Sequence, residues 1–382
     1  MAKYKLGDIC EIVSGSTPKT GIDEYWDGNI KWITPAELND DTYIINDSVR
    51  KITELAVMKT GLSSFPKGTV ILSSRAPIGK VAIAGCEMYC NQGFKNLICS
   101  DKINSKYLYW FLKGNTAYLN SLGRGATFKE ISKRIVSEIE INVPNIEKQE
   151  EVVSTLEKIS EIIALRKKEL RDLDDLIKAR FVEMFGHQSH NEKSLPYMTI
   201  DDVAEIYLGI THTPTYVDSG VMFISAKNTS GDFLDLSDVK YISREEFEGA
   251  PRGSKPQVND VLFSRVGSNL GHPVILEEEL ELCTFVSLGF LRSKGTVTSN
   301  YLKHWMRDEF FAKQVSDHVK GGGQPNLNTG WLKEFKIIVP DLEKQKEFDD
   351  FCSQVDKSKV AVQKALDETQ LLFDSLMQQY FG

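Results

Sequence analysis

The sequence lacks closely spaced cysteine pairs and long apolar runs. Its six cysteines, at positions 10, 86, 90, 99, 283 and 352, form no C-x-x-C pair, so neither a disulfide framework nor a zinc site is expected. No apolar run approaches the roughly 20 residues of a membrane-spanning helix, and the chain begins without the apolar core of a signal peptide. We therefore expect a protein of the reducing cytoplasm with no membrane partner.

The motifs of common nucleotide-using and cofactor-using enzymes are also missing. The sequence has no G-x-x-x-x-G-K-[ST] phosphate loop, no G-x-G-x-x-G after a strand, and no Asp/Asn-Pro-Pro-aromatic motif of amino-methyltransferases. His187 and His190 lie three residues apart but have no Cys or carboxylate at ligand spacing, so no metal site is expected. No Ser–His–Asp arrangement can be defended from residue order. The chain is therefore predicted to be non-catalytic.

The chain carries little positive charge for a nucleic-acid-binding protein. Its 46 Lys and Arg against 54 Asp and Glu give a net charge of −8. Residues 1–145 carry 18 basic and 15 acidic side chains, whereas residues 146–186, 196–339 and 340–382 sum to −2, −5 and −4. Because phosphate binding requires cations, the first segment suits nucleic acid best, and the acidic segment 196–339 argues against tight DNA binding by the chain alone.

The most informative pattern is an internal repeat. Three segments recur at an offset of about 195 residues: 104–110 matches 298–305, 143–149 matches 339–345, and 184–186 matches 380–382. Further upstream, residues 6–9 align with 200–203, and Ser74-Arg75 aligns with Ser264-Arg265. A period this long is typical of a duplicated domain rather than of a solenoid, and 382 residues suit two domains with connectors.

Each copy reads as a globular domain of short strands and helices followed by one long helix. The β-branched runs at 69–72, 81–84 and 261–263 predict strands, and helices are expected near 104–122 and 298–319. Pro144 and Pro340 each precede a predicted long helix. The fold class is therefore mixed α/β (α+β), with a first domain over 1–145, a helix over 146–186, a second domain over 187–339 and a helix over 340–382.

Both long segments carry an apolar seam with heptad spacing. The seam residues are Val152, Leu156, Ile159, Ile163, Leu170, Leu173 and Ile177 in the first helix, and Phe348, Val355, Val362, Leu366, Phe373 and Leu376 in the second. A helix of roughly 35 residues is about 50 Å long and cannot bury such a stripe alone. An antiparallel coiled coil of the two helices is the favoured interpretation. The alternative is that each helix packs on its own domain.

Polar, glycine-linked loops recur at matching places in the two halves. Their Arg, Lys, Asn, Gln, Ser and Thr side chains are of the types that hold phosphates and read base edges. The candidate DNA-binding residues of the first half are Ser16, Thr17, Lys19, Ser74, Arg75, Lys80, Gln92, Lys95, Arg124, Thr127 and Lys129. Those of the second half are Thr211, His212, Thr213, Arg265, Ser268, Asn269, Gln324, Asn326 and Asn328.

The ordered series of motifs resembles the specificity subunit of type I restriction–modification systems over essentially the whole chain. The resemblance rests on Leu-Gly-Asp-Ile at 6–9, Ser-Gly-Ser-Thr-Pro at 14–18, Tyr-Trp at 25–26, Ile-Lys-Trp-Ile-Thr at 30–34, Lys-Gly at 67–68 leading to 72–79, Asn-Gln-Gly-Phe at 91–94, Gly-Ala-Thr-Phe-Lys-Glu-Ile-Ser at 125–132 and Val-Pro-Asn-Ile-Glu-Lys-Gln at 143–149. The chain departs from the family at Lys148 and Lys344, where the family has Glu before the Gln. The opening of the second domain, 207–212, is also less typical, which weakens the contact assignments there.

This resemblance implies two target-recognition domains, each reading one half of a split, asymmetric DNA sequence, with the paired helices as a spacer. It implies double-stranded DNA and two methyltransferase subunits that use S-adenosylmethionine as partners. Restriction-competent systems add translocase–nuclease subunits that use ATP and magnesium. None of that chemistry belongs to this chain, which is expected to need no cofactor of its own.

Other readings remain open on the residues alone. A self-sufficient DNA methyltransferase or nuclease would need a cofactor or metal motif, and none is found. A coiled-coil scaffold would not need two globular domains with polar loops. A stand-alone DNA-binding adaptor without restriction partners would carry the same features, so it is the alternative to a specificity subunit.

Overall fold

The computed structural model describes residues 2–39, 41–75, 77–125, 129–267, 269–318 and 326–382. The chain forms two compact units. Unit 1 comprises Met1–Lys167 and Lys364–Gly382, and unit 2 comprises Lys168–Gln363. In the described part of the chain, no helix is both long and apolar enough to span a membrane.

Short strands and helices build unit 1. Its strands are β1 (Ala2–Lys5), β2 (Cys10–Ser14), β3 (Trp26–Ile33), β4 (Ile44–Ile45), β5 (Lys51–Ile52), β6 (Val70–Leu72), β7 (Val81–Ala84), β8 (Tyr89–Cys90), β9 (Lys95–Cys99) and β10 (Glu140–Val143). Its short helices are α1 (Leu6–Ile9), α2 (Glu54–Thr60), α3 (Ser105–Gly114), α4 (Thr116–Ser121) and α5 (Lys133–Ser137). The long helix α6 (Ile146–Phe185) follows and continues into unit 2.

The sheets of unit 1 place its polar loops. One sheet has the strand order β2-β9-β6-β7-β4, and another has the order β5-β3-β8. The runs predicted as strands at 69–72 and 81–84 form β6 and β7, which pair antiparallel. β1 pairs with β10, which fixes the start of the domain next to the strand that leads into α6. Leu108 and Leu112 of α3 are fully buried in the core beside this sheet.

Unit 2 repeats this plan. Its strands are β11 (Tyr197–Thr199), β12 (Ala204–Leu208), β13 (Tyr216–Val217), β14 (Val221–Ile224), β15 (Lys240–Ile242), β16 (Val261–Ser264), β17 (Pro273–Ile275), β18 (Leu282–Thr284), β19 (Leu288–Ser293) and β20 (Lys336–Ile338). Its helices are α7 (Ile200–Val203), α8 (Arg244–Gly249), α9 (Ser299–Met306), α10 (Glu309–His318) and α11 (Thr329–Glu334), and the long α12 (Leu342–Phe381) closes the chain.

The sheet order of unit 2 supports the duplication inferred from the sequence. The order β12-β19-β16-β17 corresponds to β2-β9-β6-β7, and the pair β11–β20 corresponds to β1–β10. The second sheets correspond as well, because β15-β14-β18 repeats the order and strand directions of β5-β3-β8, with one antiparallel and one parallel neighbour of the central strand. Unit 1 adds β4 to its first sheet, and unit 2 adds β13 to its second. The two units therefore share one frame and differ in one added strand each.

Two predicted helices are each divided into two. The segment near 104–122 forms α3 and α4, because Asn115 leaves the helical region with a ψ of 22° and its amide ends α3 by bonding to Leu112 O and Phe111 O. The segment near 298–319 divides in the same way into α9 and α10 after Arg307, whose amide bonds to His304 O and Trp305 O. Apolar periodicity continues through both breaks, which is why the sequence predicted single helices.

The long helices pair antiparallel within each unit. In unit 1, Leu156 from the first half of α6 lies in the same core as Phe373 and Leu376 from the end of α12. In unit 2, Ile177 from the end of α6 lies in one core with Phe348 and Val355 from the start of α12. Both helices also contact the domain cores. The predicted fold class is confirmed, and the two packing alternatives for the helices both hold.

The predicted seam residues are all shielded from solvent. The buried ones are Val152, Leu156, Ile159, Ile163, Ile177, Phe348, Val355 and Leu366, and the half-buried ones are Leu170, Leu173, Val362, Phe373 and Leu376. Polar interruptions of the seam are paired. Arg166 donates to Ala365 O and Thr369 Oγ1, and Lys359 Nζ lies 2.5 Å from Asp174 Oδ1. Such pairs favour one register of the two helices, because only in that register are these polar groups hydrogen-bonded or ion-paired.

A buried glutamine fastens each long helix to its domain. Gln149 accepts from Asn104 N (2.8 Å) and donates to Lys102 O (3.0 Å) and Pro144 O (2.9 Å). Gln345 makes the equivalent bonds to Thr298 N, Thr296 O and Pro340 O at 2.9, 3.1 and 2.8 Å. Both glutamines are fully buried. Each domain is thus bonded to the start of the helix that follows it.

Candidate nucleic-acid interface

A charged cluster forms in unit 1 where β6 ends and β9 begins. Lys95 is buried, and its Nζ donates to Ser74 Oγ (3.2 Å) and Glu130 Oε1 (3.2 Å). Arg75 is exposed and donates from Nε to Glu130 Oε2 (2.9 Å). Glu130 therefore joins a buried and an exposed cation. Arg75 lies on the outer side of this cluster, held but accessible to an external anion.

The charge state of Glu130 follows from these contacts. Partial burial alone would raise the pKa of its carboxyl, but the hydrogen bonds and charges of Arg75 and Lys95 outweigh burial and lower the pKa below its ordinary value. Glu130 is therefore a carboxylate at neutral pH. It orients Arg75 and at the same time competes with any phosphate for that side chain.

A second polar group surrounds the loop after β2. Thr17 Oγ1 donates to Gln92 Oε1, and Trp32 Nε1 donates to Ser16 O (3.0 Å). Lys19 is exposed. A side chain at Gly15 would place its Cβ 2.0 Å from Asn91 O, so only glycine allows these two loops to approach so closely. The predicted residues of the two loops are thus brought together.

The remaining predicted residues of unit 1 do not share one role. Lys80 Nζ donates to the carbonyls of Leu38 (2.6 Å) and Pro35 (3.3 Å), so it ties two loops together and is not a free cation. Arg124 and Lys129 are both exposed. Arg124 forms a backbone bridge with Glu130, the residue that follows Lys129. Thr127 lies outside the described residues.

Arg50 is an exposed basic residue that was not among the candidates predicted from the sequence. Its guanidinium carbon lies 3.7 Å from the ring centroid of Trp26 and 5.7 Å from that of Trp32. The preceding Val49 is 85% exposed, although its amide donates to Glu37 Oε2 (2.7 Å). The adjacent basic residues Arg50-Lys51 after an Asn-Asp-Ser turn were the available signal. They form a fixed, basic and apolar tip suited to a nucleic-acid groove.

Unit 2 presents fewer basic side chains in its loops. Thr211, His212 and Thr213 are exposed after β12, and His212 Nε2 lies 2.8 Å from Glu246 Oε1. Asn328 caps α11 by accepting from Gly330 N (2.7 Å). Asn269 and Asn326 are exposed, and Ser268 and Gln324 lie outside the described residues.

Arg265 has a structural place that differs from that of Arg75. It is 9% exposed, and its guanidinium donates to Leu327 O (3.2 Å), Val286 O (2.9 Å) and Asn326 Oδ1 (3.4 Å). Burial lowers the pKa of this guanidinium from its ordinary value. Its donors are directed at protein acceptors, so the structure does not present Arg265 to a ligand as the sequence predicted.

Backbone pairing explains this difference. Ser74 N donates to Gly93 O (2.7 Å) and Ile131 N to Ser74 O (2.9 Å). In unit 2 the same two bonds are made by Arg265, with Ser287 O and Leu327 N, both at 2.9 Å. Arg265 is therefore equivalent to Ser74, and Val266 to Arg75. The sequence alignment of the two arginines was wrong by one residue, and adjacent residues of a strand point to opposite faces.

Among the described residues, no group of three His, Cys, Asp or Glu side chains could hold a metal ion. The arrangement is suited to contacting a phosphate backbone and base edges through loops on a rigid frame.

Comparison with known proteins agrees with this geometry. Residues 1–174 and 196–369 each match the family described as the type I restriction modification DNA specificity domain. The MjaIX specificity subunit of Methanocaldococcus jannaschii is 30% identical over 360 residues, which cover 88% of this chain and 82% of that protein. The EcoR124I/EcoR124II specificity subunit of Escherichia coli is 28% identical over 160 residues, 40% of this chain and 39% of that protein.

Solved structures share the fold. The S subunit of a type I restriction-modification system from M. genitalium superposes with a TM-score of 0.59 at 15% identity, covering 100% of this chain and 96% of that chain. A chain of another type I R-M system gives a TM-score of 0.62 at 18% identity, with coverage of 100% and 97%. Because the family's domain matches twice and the frame of the fold repeats with it, the chain belongs to the type I restriction–modification DNA specificity family and is the kind of subunit that recognises the DNA target.

Proposed function

We propose that the chain reads a bipartite, asymmetric DNA sequence, with one half-site contacted by the loops of each unit. The observation that supports this proposal is that the two units share one strand order, β2-β9-β6-β7 and β12-β19-β16-β17, while the side chains on the flanking loops differ. Equivalent frames with different contact residues would select two different half-sites. The helices α6 and α12 serve as the spacer between them.

The chemistry is supplied by partners. Two methyltransferase subunits bring S-adenosylmethionine, and translocase–nuclease subunits, where present, bring ATP and magnesium. This chain is non-catalytic, which is supported by the missing cofactor motifs and by its similarity to proteins named as specificity subunits. It acts in the cytoplasm, where the DNA is.

The net charge supports dependence on partners. Residues 196–339 carry a net charge of −5, and the chain as a whole carries −8. Counterion release from phosphates supplies most non-specific DNA affinity. The isolated chain is therefore expected to bind DNA weakly, and the assembled complex to bind it tightly.

Methylation mapping tests the proposal. The chain is co-expressed with its methyltransferase subunit in a host that lacks other adenine methylation, and modified sites are found by sequencing the genome. We expect a single split motif with a fixed gap, and no methylation when either protein is expressed alone. Methylation by this chain alone would contradict a non-catalytic role. An unsplit motif would contradict the two-half-site reading.

A chimera assigns the half-sites. Replacing residues 197–338 with the corresponding domain of another specificity subunit should change one half of the motif and leave the other half and the gap unchanged. The matched control replaces residues 2–143 instead and should change the opposite half. A stand-alone DNA-binding adaptor would direct no methylation in either experiment.

A further inference from the structure

Unit 2 contains a charged cavity that the recognition loops do not explain. Its volume is about 760 Å³, and α6, α9, α10 and α12 line it together with the loop before β17. The side chains that matter for its charge are Lys303, Arg307, Lys359, Asp174, Asp232 and Asp356. The volume lies in the range of small-molecule sites, about 300–1,000 Å³.

The cavity contains hydrogen-bond donors without acceptors. Lys303 is 7% exposed, and within the described part of the chain its Nζ has no hydrogen-bond or ion-pair partner. Arg307 Nη2 donates to Asp232 Oδ1 (2.7 Å), but Arg307 Nε is buried without an acceptor. A buried donor such as Arg307 Nε costs free energy unless a ligand or water accepts from it.

The carboxylates in the cavity are largely engaged. Asp174 lies 2.5 Å from Lys359 Nζ, and Asp232 pairs with Arg307 and lies 3.9 Å from Lys359 Nζ. Asp356 makes no ion pair within 4.0 Å among the described residues. Lys178, a fourth cation of the lining, pairs with Asp175 (3.2 Å). Of the four cations, only the ammonium of Lys303 has no counter-ion in contact among the described residues.

The electrostatics agree with an unfilled anion position. Burial lowers the pKa of the Lys303 ammonium and the neighbouring Arg307 charge lowers it further, while Asp356 and Asp232 oppose this shift without cancelling it. Burial also holds the pKa of the His304 imidazole well below its ordinary value, so this ring is neutral near pH 7 and adds no counter-charge. An anion in contact with Lys303 would relieve both penalties.

Unit 1 shows that the frame does not require this cavity. Tyr107 and Tyr301 are equivalent, since each donates to the backbone carbonyl of the residue immediately before its Val-Pro, at Asn142 O (3.1 Å) and Ile338 O (2.5 Å). Two and three residues later, Tyr109 and Trp110 take the places of Lys303 and His304. Tyr109 packs on Tyr43 with ring centroids 4.7 Å apart, and Trp110 packs on Phe373 at 5.7 Å. In unit 1, packed aromatic rings therefore occupy the positions at which unit 2 has the charged side chains of its cavity.

We propose that the unit 2 cavity binds a phosphate-type oxyanion, held by Lys303, Arg307 and Lys359. The ammonium of Lys303 in α9 and the guanidinium of Arg307, directly after α9, match the acceptors of a tetrahedral oxyanion. The oxyanion comes either from a free phosphate compound or from the DNA backbone. Only the second source rests on the proposed function.

The first experiment uses the full chain and inorganic phosphate. Phosphate should raise the thermal unfolding temperature above that in sodium chloride of equal ionic strength, because ligand bound to the native state stabilises it. Calorimetry should show binding that Lys303→Met weakens at least tenfold and that Lys303→Arg largely retains. Lys313→Met, which removes an exposed cation from α10 outside the cavity, is the control and should leave binding within twofold.

The second experiment uses the complex assembled with methyltransferase subunits. If the oxyanion is a DNA phosphate, Lys303→Met should reduce the slope of log affinity against log salt by about one unit, whereas Lys313→Met should not. A phosphate effect in the first experiment assigns a free ligand, and a slope change alone assigns the DNA backbone. If phosphate neither binds nor stabilises the wild-type chain and Lys303→Met leaves the salt slope unchanged, the proposal is overturned. A complex that binds no DNA would contradict the proposed function and leave the first experiment valid.

Discussion

Units 1 and 2 bury a cation beside the same strand pairing, but they take it from different residues. Unit 1 uses Lys95 at the start of β9, next to Ser74. Unit 2 has Gly289 at the position of Lys95, opposite Leu208 as Lys95 is opposite Ser14, and uses Arg265 instead. The backbone bonds are the same and the side chains are exchanged. Duplication has preserved the pairing of the strands, while the charged contacts were replaced separately in each copy.

This difference matters for reading the surface. Because the buried cation of unit 2 comes from the arginine, no exposed arginine remains there at the place of Arg75, where Val266 stands. The equivalent positions therefore carry a cationic side chain in unit 1 and an apolar side chain in unit 2. Two half-sites of different sequence are the expected consequence.

The largest expected effect comes from lengthening the helices where the two units meet in sequence. Inserting seven residues after Lys167 and seven after Gln363 keeps the heptad seam and lengthens each helix by about 10 Å. At 3.4 Å per base pair, the gap between half-sites should grow by roughly three base pairs while both half-sites stay the same. Sequencing of methylated genomes measures the gap.

The control for this insertion changes the phase of the seam. A four-residue insertion at both sites introduces a stutter and should reduce methylation without giving the three-base-pair change. Full activity at the original spacing in the seven-residue variant would show that the helices do not set the gap.

Arg265→Ala should be strongly destabilising. It leaves two buried carbonyls without donors and creates a cavity, so we expect unit 2 to lose about 2–4 kcal/mol of unfolding free energy. Urea unfolding with hydrogen exchange reports the two units separately. Arg252→Ala, at an exposed position of the same unit, should stay within about 0.5 kcal/mol. Equal effects of the two variants would contradict a structural role for Arg265.

Gln149→Ala and Gln345→Ala test where the two units should be alike. Each variant removes three buried hydrogen bonds that fasten a long helix to its domain, and each should cost about 1–3 kcal/mol in the unit that contains the glutamine. Hydrogen exchange of the adjacent helix start is the measurement. Glu150→Ala and Lys346→Ala change exposed neighbours and should have little effect. Very different costs for the two glutamines would contradict their equivalence.

Arg75→Ala should have the opposite profile to Arg265→Ala. Arg75 is exposed and its ion pair with Glu130 is partly solvated, so folding should change little. DNA affinity of the assembled complex should fall by about 1–3 kcal/mol with one target position relaxed, if the arginine contacts a base. A phosphate contact would instead lower the salt slope by about one unit. Unchanged affinity and salt slope would show that Arg75 only shapes the loop.

The smallest effect concerns pH. Arg75 and Lys95 hold the pKa of Glu130 below its ordinary value against the opposing effect of burial. A carboxyl with a lowered folded-state pKa stabilises the fold above its unfolded pKa of about 4.3, and this stabilisation is lost as pH falls through the folded-state pKa. Wild type should therefore exceed Glu130→Gln in stability near pH 7, and the difference should shrink below about pH 4. A difference that grows on acidification would contradict this sign.

Several features of the protein follow from its sequence alone. The repeat predicted two copies of one frame. Both copies have similar apolar spacing in their strands, and both have a Val-Pro pair directly before the long helix. The heptad spacing predicted which faces of α6 and α12 are shielded, because side chains three and four positions apart share one face of a helix. The family followed from the ordered motifs.

Tertiary structure decided which polar residues reach the surface. Lys80, Lys95 and Arg265 are basic loop residues like Arg75, yet these three are buried or half-buried against protein acceptors, whereas Arg75 is exposed. Strand alternation and the pairing partner determine the direction of each side chain. The charged cavity of unit 2 likewise had no sequence signal. Lys303 lies in α9, Arg307 directly after it and Lys359 in α12, and only the packing of these elements brings their charges together. A local pattern determines helix, strand and face, whereas a contact between distant segments depends on the packing of the whole unit.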